Sequence, residues 1–190
     1  MIKLEKNFLG LQIYQLEDLS ICDRLIDKLG YIRENQLSVN NNNTCFKSQG
    51  YQSSNLLDLG DPDLLEFSAL MRFHLARNFG IAQENFEFVF LHFLDYDKQG
   101  LMEEHDHKDK EDLTFLLYLN DCPDGDTVFY LNSANDRSRQ RSQIAVKPKK
   151  GRLAVFSSVV PHEGTITHNN KKIFAGGLSY NSINTQCPRE

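Results

Sequence analysis

Apolar positions recur with a helical period in the first half of the chain and with the two-residue period of strands in the second. Leu19, Cys22, Leu25, Ile26 and Leu29 fall at helical spacing between Asp18 and Leu29, and Gly30 supplies a stop. Asp61 as N-cap, Pro62 at the first helical position, the stripe Leu64, Phe67, Met71 and Leu75, and Gly80 as terminator predict a second helix. Tyr31 to Leu57 has few periodic apolar positions and holds the run Asn40 to Asn43. That composition predicts a long loop with short strands.

From Phe86 onward the pattern predicts strands at Phe86 to Leu94, Leu101 to His107, Leu113 to Leu119, Thr127 to Leu131, Gln143 to Val146, Arg152 to Phe156 and Ile173 to Tyr180. Lys98-Gln99-Gly100, Pro123-Asp124-Gly125 and Pro148-Lys149-Lys150-Gly151 are turn signals between them. Helices followed by a run of short strands predict an α+β protein: an antiparallel sandwich or barrel buttressed by N-terminal helices. One domain over residues 1–190 is expected, with helical support over about 1–85 and a β core over about 86–181.

Composition narrows this picture without redrawing it. No apolar run approaches the ~20 residues of a membrane helix, and the N-terminus lacks the cationic and apolar blocks of a secretory signal. A soluble, cytoplasmic protein with no membrane partner is the expectation. The four cysteines, Cys22, Cys45, Cys122 and Cys187, are scattered without C-x-x-C spacing, which predicts reduced thiols. A net charge of -5 argues against general nucleic-acid binding. It leaves open a local basic patch at Arg137, Arg139 and Arg141, whose simplest reading is a solvated loop. No feature of the chain sets an oligomeric state.

The candidate chemistry sits in Glu104-His105-Asp106-His107-Lys108-Asp109, with His162 following in Pro161-His162-Glu163-Gly164. On a strand, His105, His107 and Asp109 would share one face. Two imidazoles and a carboxylate on one triangular face, with the opposite face open, suit non-haem Fe(II). His74, His92 and His168 carry no such company and read as ordinary core, surface or turn residues. A cupin-type metal enzyme is the rival reading, because His105-x-His107 followed by Glu111 imitates that superfamily's first metal segment. Its second segment is missing, since Pro148 and Gly151 precede His162 by a full strand and turn.

The order of segments carries more weight than any one of them. Tyr96 and Gly100 before the histidine cluster, then Leu113-Thr114-Phe115-Leu116-Leu117-Tyr118-Leu119-Asn120, then Asp124-Gly125-Asp126-Thr127-Val128-Phe129, then Lys147-Pro148-Lys149-Lys150-Gly151-Arg152, then His162, resembles the 2-oxoglutarate- and Fe(II)-dependent oxygenases, in particular their prolyl-4-hydroxylase-like branch. The resemblance covers about residues 86–181.

This resemblance implies a double-stranded β-helix (jelly-roll) core with N-terminal supporting helices. It also implies Fe(II) as metal, 2-oxoglutarate as co-substrate, and ascorbate among the cofactors that could accompany them. By position, His107 and Asp109 would be the H-x-D ligands and His162 the distal ligand. The family's first histidine, however, lies about nine residues after the strand-one tyrosine, which from Tyr96 reaches His105. A carboxylate that offsets the metal charge favours Asp109, and the spacing favours His105; Asp109 is the assignment taken, with His105 as its alternative. The family's anchor for the distal carboxylate of 2-oxoglutarate falls here on Lys171 or Lys172, of which Lys172 is preferred, with a hydroxyl partner from Tyr118 or Tyr96. The implied reaction is hydroxylation of a C–H bond with release of succinate and CO2. Its substrate would be a protein, peptide or small molecule, with a prolyl residue as one candidate. A non-catalytic binding module on the same fold is the alternative outside enzymology.

Overall fold

Asp18 opens the first helix by accepting hydrogen bonds from the backbone N–H (3.0 Å) and the hydroxyl (2.6 Å) of Ser20, the side-chain satisfaction that a helix start needs. The helix, α1, runs over Ser20–Glu34 and so passes through Gly30, the expected stop. A Cβ placed at Gly30 would meet nothing within 4 Å, so nothing there requires a glycine-specific turn and the residue is simply carried in the helix. The second helix, α2, spans Pro62–Phe79 as its stripe predicts. In this computed structural model the described residues are 2–34, 45–48, 51–55, 62–79, 82–108, 110–131 and 142–180. The expected caps Asp61 and Gly80, the run Asn40 to Asn43, Asp109, and Arg137, Arg139 and Arg141 lie outside them.

Twelve strands are described: β1 (Ile2–Phe8), β2 (Leu11–Leu16), β3 (Cys45–Ser48), β4 (Tyr51–Asn55), β5 (Phe86–Tyr96), β6 (Gly100–His105), β7 (Leu113–Tyr118), β8 (Thr127–Tyr130), β9 (Gln143–Val146), β10 (Arg152–Ser157), β11 (His162–Thr167) and β12 (Lys171–Tyr180). A 3-10 turn at Gln83–Asn85 leads into β5. They form an eight-stranded sheet in the order β1-β2-β10-β7-β12-β5-β4-β3 and a four-stranded sheet in the order β6-β11-β8-β9, with every pairing antiparallel. The expected double-stranded β-helix is the fold observed.

Two strands that the helical reading of residues 1–85 omitted, β1 and β2, form a hairpin that extends the large sheet along β10. A third, β11, carries His162 at its start.

The large sheet is covered on both faces, and alternation along each strand divides its side chains between two cores. Leu113, Phe115 and Leu117 of β7, Leu153 and Val155 of β10, and Phe174 and Leu178 of β12 pack with Leu25 and Leu29 of α1 and Leu64, Phe67, Met71 and Leu75 of α2. Their neighbours Leu116, Tyr118, Ala154, Phe156, Ile173 and Ala175 point into the space between the sheets, against Phe129 and Val146. A large apolar side chain so buried contributes about 1.5–3 kcal/mol, and the two cores together fix which side of each central strand faces the inter-sheet cavity.

Candidate metal centre and its cavity

His105 ends β6, and its cross-strand partner is His162, which begins β11. Directly paired residues of antiparallel strands project to one face, and the two ring centroids lie 4.3 Å apart. His107 follows the strand end, tied down by its backbone N–H, which donates to the Ser158 carbonyl at 2.9 Å. Its ring centroid is 5.0 Å from that of His105 and 5.4 Å from that of His162. One potential ligand atom from each of the three rings lies within 4.8 Å of the others.

Each ring is braced from outside through Nδ1. His105 Nδ1 lies 2.7 Å from the Glu103 carbonyl, His162 Nδ1 lies 3.2 Å from the Val160 carbonyl, and His107 Nδ1 faces Glu111 Oε1 at 2.9 Å. These oxygens are acceptors, which favours the tautomer with its proton on Nδ1 and leaves the Nε2 lone pair for a ligand. Burial strips water from His162 and, with His105 alongside, pushes its pKa down to about 3; burial lowers that of His105 as well. Both rings are therefore neutral near pH 7 and ready to donate. Three converging imidazole lone pairs are a donor set for a divalent transition metal, so the residues present fit Fe(II).

The rings stand at one side of a cavity of about 450 Å³ between the sheets. Phe90, Leu94, Met102, Leu116, Ile173 and Ala175 line it, together with Tyr96, Thr127, Gly164, His92 and Glu111. Phe129 and Phe156 pack on His162, at centroid distances of 5.8 and 4.6 Å, and fix its ring.

Lys171 and Lys172 part company at the start of β12. Register places Lys171 opposite Tyr96 and Lys172 opposite Asp95. Alternation puts Lys171 on the inward side with Ile173 and Ala175, and Lys172 on the other side, where its ammonium pairs with Asp95 Oδ1 at 2.8 Å. The preference for Lys172 is thus corrected. Lys171 is 1% exposed; its Nζ donates to the Gly125 carbonyl at 2.9 Å and lies 4.1 Å from the centroid of the Tyr96 ring. Gly125 has φ +73°, and a Cβ there would meet Thr167 at 2.7 Å, so glycine alone presents its carbonyl to the lysine without strain. Desolvation lowers the Lys171 pKa to about 8, with Cys122, Asp126 and Asp124 pulling the other way.

Among the remaining expected residues, Tyr96 lines the cavity, whereas the Tyr118 hydroxyl donates to Thr127 Oγ1 at 2.7 Å. Thr127, which the sequence reading passed over, is the cavity-facing member of that pair. His92 also lines the cavity, but it is not among the converging ligand atoms. His74 packs edge-on to Phe73 of α2, and the His168 backbone N–H donates to Asp124, both away from the three rings. Glu111 touches His107 but is not one of the converging ligand atoms, which removes the observation that a cupin-like four-residue set would need.

A helix-backed double-stranded β-helix with a histidine cluster between its sheets defines a class, the fold of the non-haem 2-oxoglutarate oxygenases. Residues 89–177 match the model of the 2OG-Fe(II) oxygenase superfamily, so the resemblance carried by the motifs is borne out over this segment. The superfamily's cofactors, Fe(II) and 2-oxoglutarate, are those expected from the motifs.

A prolyl-4-hydroxylase from Pseudomonas putida is similar in structure, with a TM-score of 0.68 at 18% identity over 90% of this chain and 93% of that one. A Trichoplax adhaerens prolyl hydroxylase in complex with a hypoxia inducible factor oxygen degradation domain peptide fragment gives 0.68 at 16% identity, over 90% and 84% of the two chains. HygX from Streptomyces hygroscopicus, with nickel and 2-oxoglutarate bound, gives 0.67 at 13% identity, over 91% and 84%. No curated protein matches the sequence. No described helix is long and apolar enough to cross a membrane.

Proposed function

We propose that this protein is an Fe(II)- and 2-oxoglutarate-dependent dioxygenase that hydroxylates a C–H bond. The supporting observation is the convergence of His105, His107 and His162 at a cavity against whose wall residues, Tyr96 and Gly164, the Lys171 ammonium packs. In this reading the three imidazoles hold the metal, His105 replacing Asp109 in the ligand set. Lys171 attracts the distal carboxylate of 2-oxoglutarate as a point charge, and the Thr127 hydroxyl, oriented by Tyr118, offers a further polar contact. When bound, metal and co-substrate supply oxidative decarboxylation coupled to insertion of one atom of dioxygen into the substrate, with release of succinate and CO2. The chain's own part is to orient the ligands and to keep water away with Phe90, Leu94, Met102 and Leu116.

A prolyl residue of a protein or peptide is the candidate acceptor. Two proteins that share the fold are prolyl hydroxylases, one of them in complex with a peptide. The test is succinate formation from 2-oxoglutarate with Fe(II) under air, with and without proline-containing peptide pools. Turnover that His162→Ala abolishes supports the oxygenase, and stimulation by the peptides supports the acceptor. Absence of turnover with every pool, together with no visible charge-transfer band when Fe(II) and 2-oxoglutarate are combined anaerobically, would leave a binding module instead.

A further inference from the structure

The three imidazoles differ in what stands behind them. His105 and His162 face backbone carbonyls through Nδ1, whereas His107 faces a carboxylate, Glu111 Oε1. The chain builds this contact locally. The His107 carbonyl accepts from the N–H groups of Lys110 (2.8 Å) and Glu111 (3.4 Å), one turn that returns the side chain of residue i+4 to residue i. Glu111 is 4% exposed and lines the cavity. Its Oε1 also accepts from the Thr114 hydroxyl at 3.0 Å, while its Oε2 is buried without a hydrogen-bond partner.

A buried carboxylate with one oxygen unfilled is costly for an apolar cavity wall. It would be hard to account for as packing alone, since an apolar residue of similar volume would fill the place at lower cost. The cost has a counterpart in the neighbouring ligands. A set of two imidazoles and one carboxylate leaves a divalent ion with a net charge of +1, whereas three neutral imidazoles leave it with +2 in a space lined mostly by carbon. A carboxylate one ring away from the metal offsets part of that charge through the imidazole, and an acidic group on the outer nitrogen is the usual way to fix a ligand's tautomer and raise its basicity.

We propose that Glu111 is a positioning residue of the metal centre: it holds His107 with its proton on Nδ1 and supplies from behind that ring the negative charge that a three-imidazole ligand set lacks. This rests on the reading that His105, His107 and His162 hold the metal, and the experiment separates the two.

The full chain, stripped of metal, is titrated with Co(II) and followed by its visible d–d absorption. Wild type is compared with Glu111→Gln, which keeps the shape of the side chain and removes its charge, and with His105→Ala, His162→Ala and Asp109→Ala. The expected result is Co(II) affinity about 10–100-fold weaker in Glu111→Gln, with a displaced d–d band, and no saturable binding in His162→Ala. A merely structural role for Glu111 would lower the thermal midpoint of the metal-free chain and leave affinity and spectrum alone.

Glu111→Gln binding within twofold of wild type with an unchanged spectrum overturns the role of Glu111 while leaving the three-imidazole site intact. His162→Ala that still binds like wild type overturns the site itself. Loss of Co(II) in Asp109→Ala but not in His105→Ala would show a direct carboxylate ligand and overturn both. Should Glu111→Gln fail to fold, nitrogen-15 NMR of the metal-free wild-type chain decides: His107 with its proton on Nδ1 is required, and finding it on Nε2 overturns the proposal.

Discussion

Lys171 carries an ammonium that folding removes from water, and the way it titrates can be checked directly. Its pKa falls to about 8 because burial disfavours the charged form. In the proposed role a carboxylate of 2-oxoglutarate needs that charge, so the KM for 2-oxoglutarate should be flat below pH 8 and rise about tenfold per pH unit above it. Initial-rate kinetics across pH 6.5 to 9.5 measure this, and a flat profile would remove Lys171 from co-substrate binding. In the unfolded chain the same lysine titrates near 10.5. Between pH 8 and that value the unfolded state holds the proton that the folded state has released, so this group's contribution to stability rises with pH.

Lys171→Met keeps the volume, loses one hydrogen bond to Gly125 and relieves a buried charge. Its metal-free stability should stay within about 1 kcal/mol of wild type while the KM for 2-oxoglutarate rises by tenfold or more. The proposed anchor was legible only to within one residue, since spacing from His162 reaches both lysines. The phase of Ile173 and Ala175, both directed into the inter-sheet core, decides between them.

At the scale of elements, β12 is one of the strands that both cores share, and its two adjacent glycines mark where its neighbours press closest. A Cβ at Gly176 would lie 2.3 Å from Phe115 Cε1 and 3.0 Å from Leu91 Cδ2; one at Gly177 would lie 2.4 Å from Phe90 Cε1 and 3.0 Å from Glu111 Cδ. Phenyl rings packed on a central strand have little room to withdraw, and overpacking of this kind costs about 1–3 kcal/mol. Both alanine variants should lose that much in urea unfolding. Only Gly177→Ala should also weaken Co(II) binding, because it alone pushes on Glu111 and on a cavity-lining ring. Equal metal affinity in the two variants would contradict this division of the strand into a helix side and a cavity side.

Much of the element layout was legible because turn signals bound the strands and because α2 carries both a proline start and an apolar stripe. The misses have physical causes. In β2 both faces are covered, so Leu11, Ile13, Tyr14 and Leu16 show no clean alternation. In β11 only His162, Gly164 and Thr167 are buried, and the strand reads as a polar turn. His107 was expected to continue the strand of His105. The strand ends at His105 instead, and the backbone bond from His107 to Ser158, between residues far apart in sequence, brings the two rings together.

Across the whole molecule the two sheets are unequally supported. The large sheet has helices on its outer face, while β6 is an edge strand of the small sheet and among the described strands pairs only with β11, through a register interrupted at Gly164. The three histidines of the candidate metal centre sit on this weaker side: His105 and His162 are the directly paired ends of β6 and β11, and His107 follows β6 by two residues. An ion held by all three would fasten the edge strand to its neighbour. Binding to the folded state alone stabilises it by about 2.7 kcal/mol at a free metal concentration 100 times Kd, and each kcal/mol raises the midpoint of a chain this size by about 2–4 °C. Co(II) at that concentration should therefore raise the thermal midpoint by roughly 5–10 °C, reversibly with EDTA and not in His162→Ala. Because the fastening is local, hydrogen exchange should slow at amides of Gly100–His105 in β6 well before it changes in β7, which pairs with β10 and β12 and lies under the helices. A midpoint that rises with uniform protection across both sheets would mean that the metal acts on global stability alone. No rise at any Co(II) concentration would mean that the three imidazoles hold no ion.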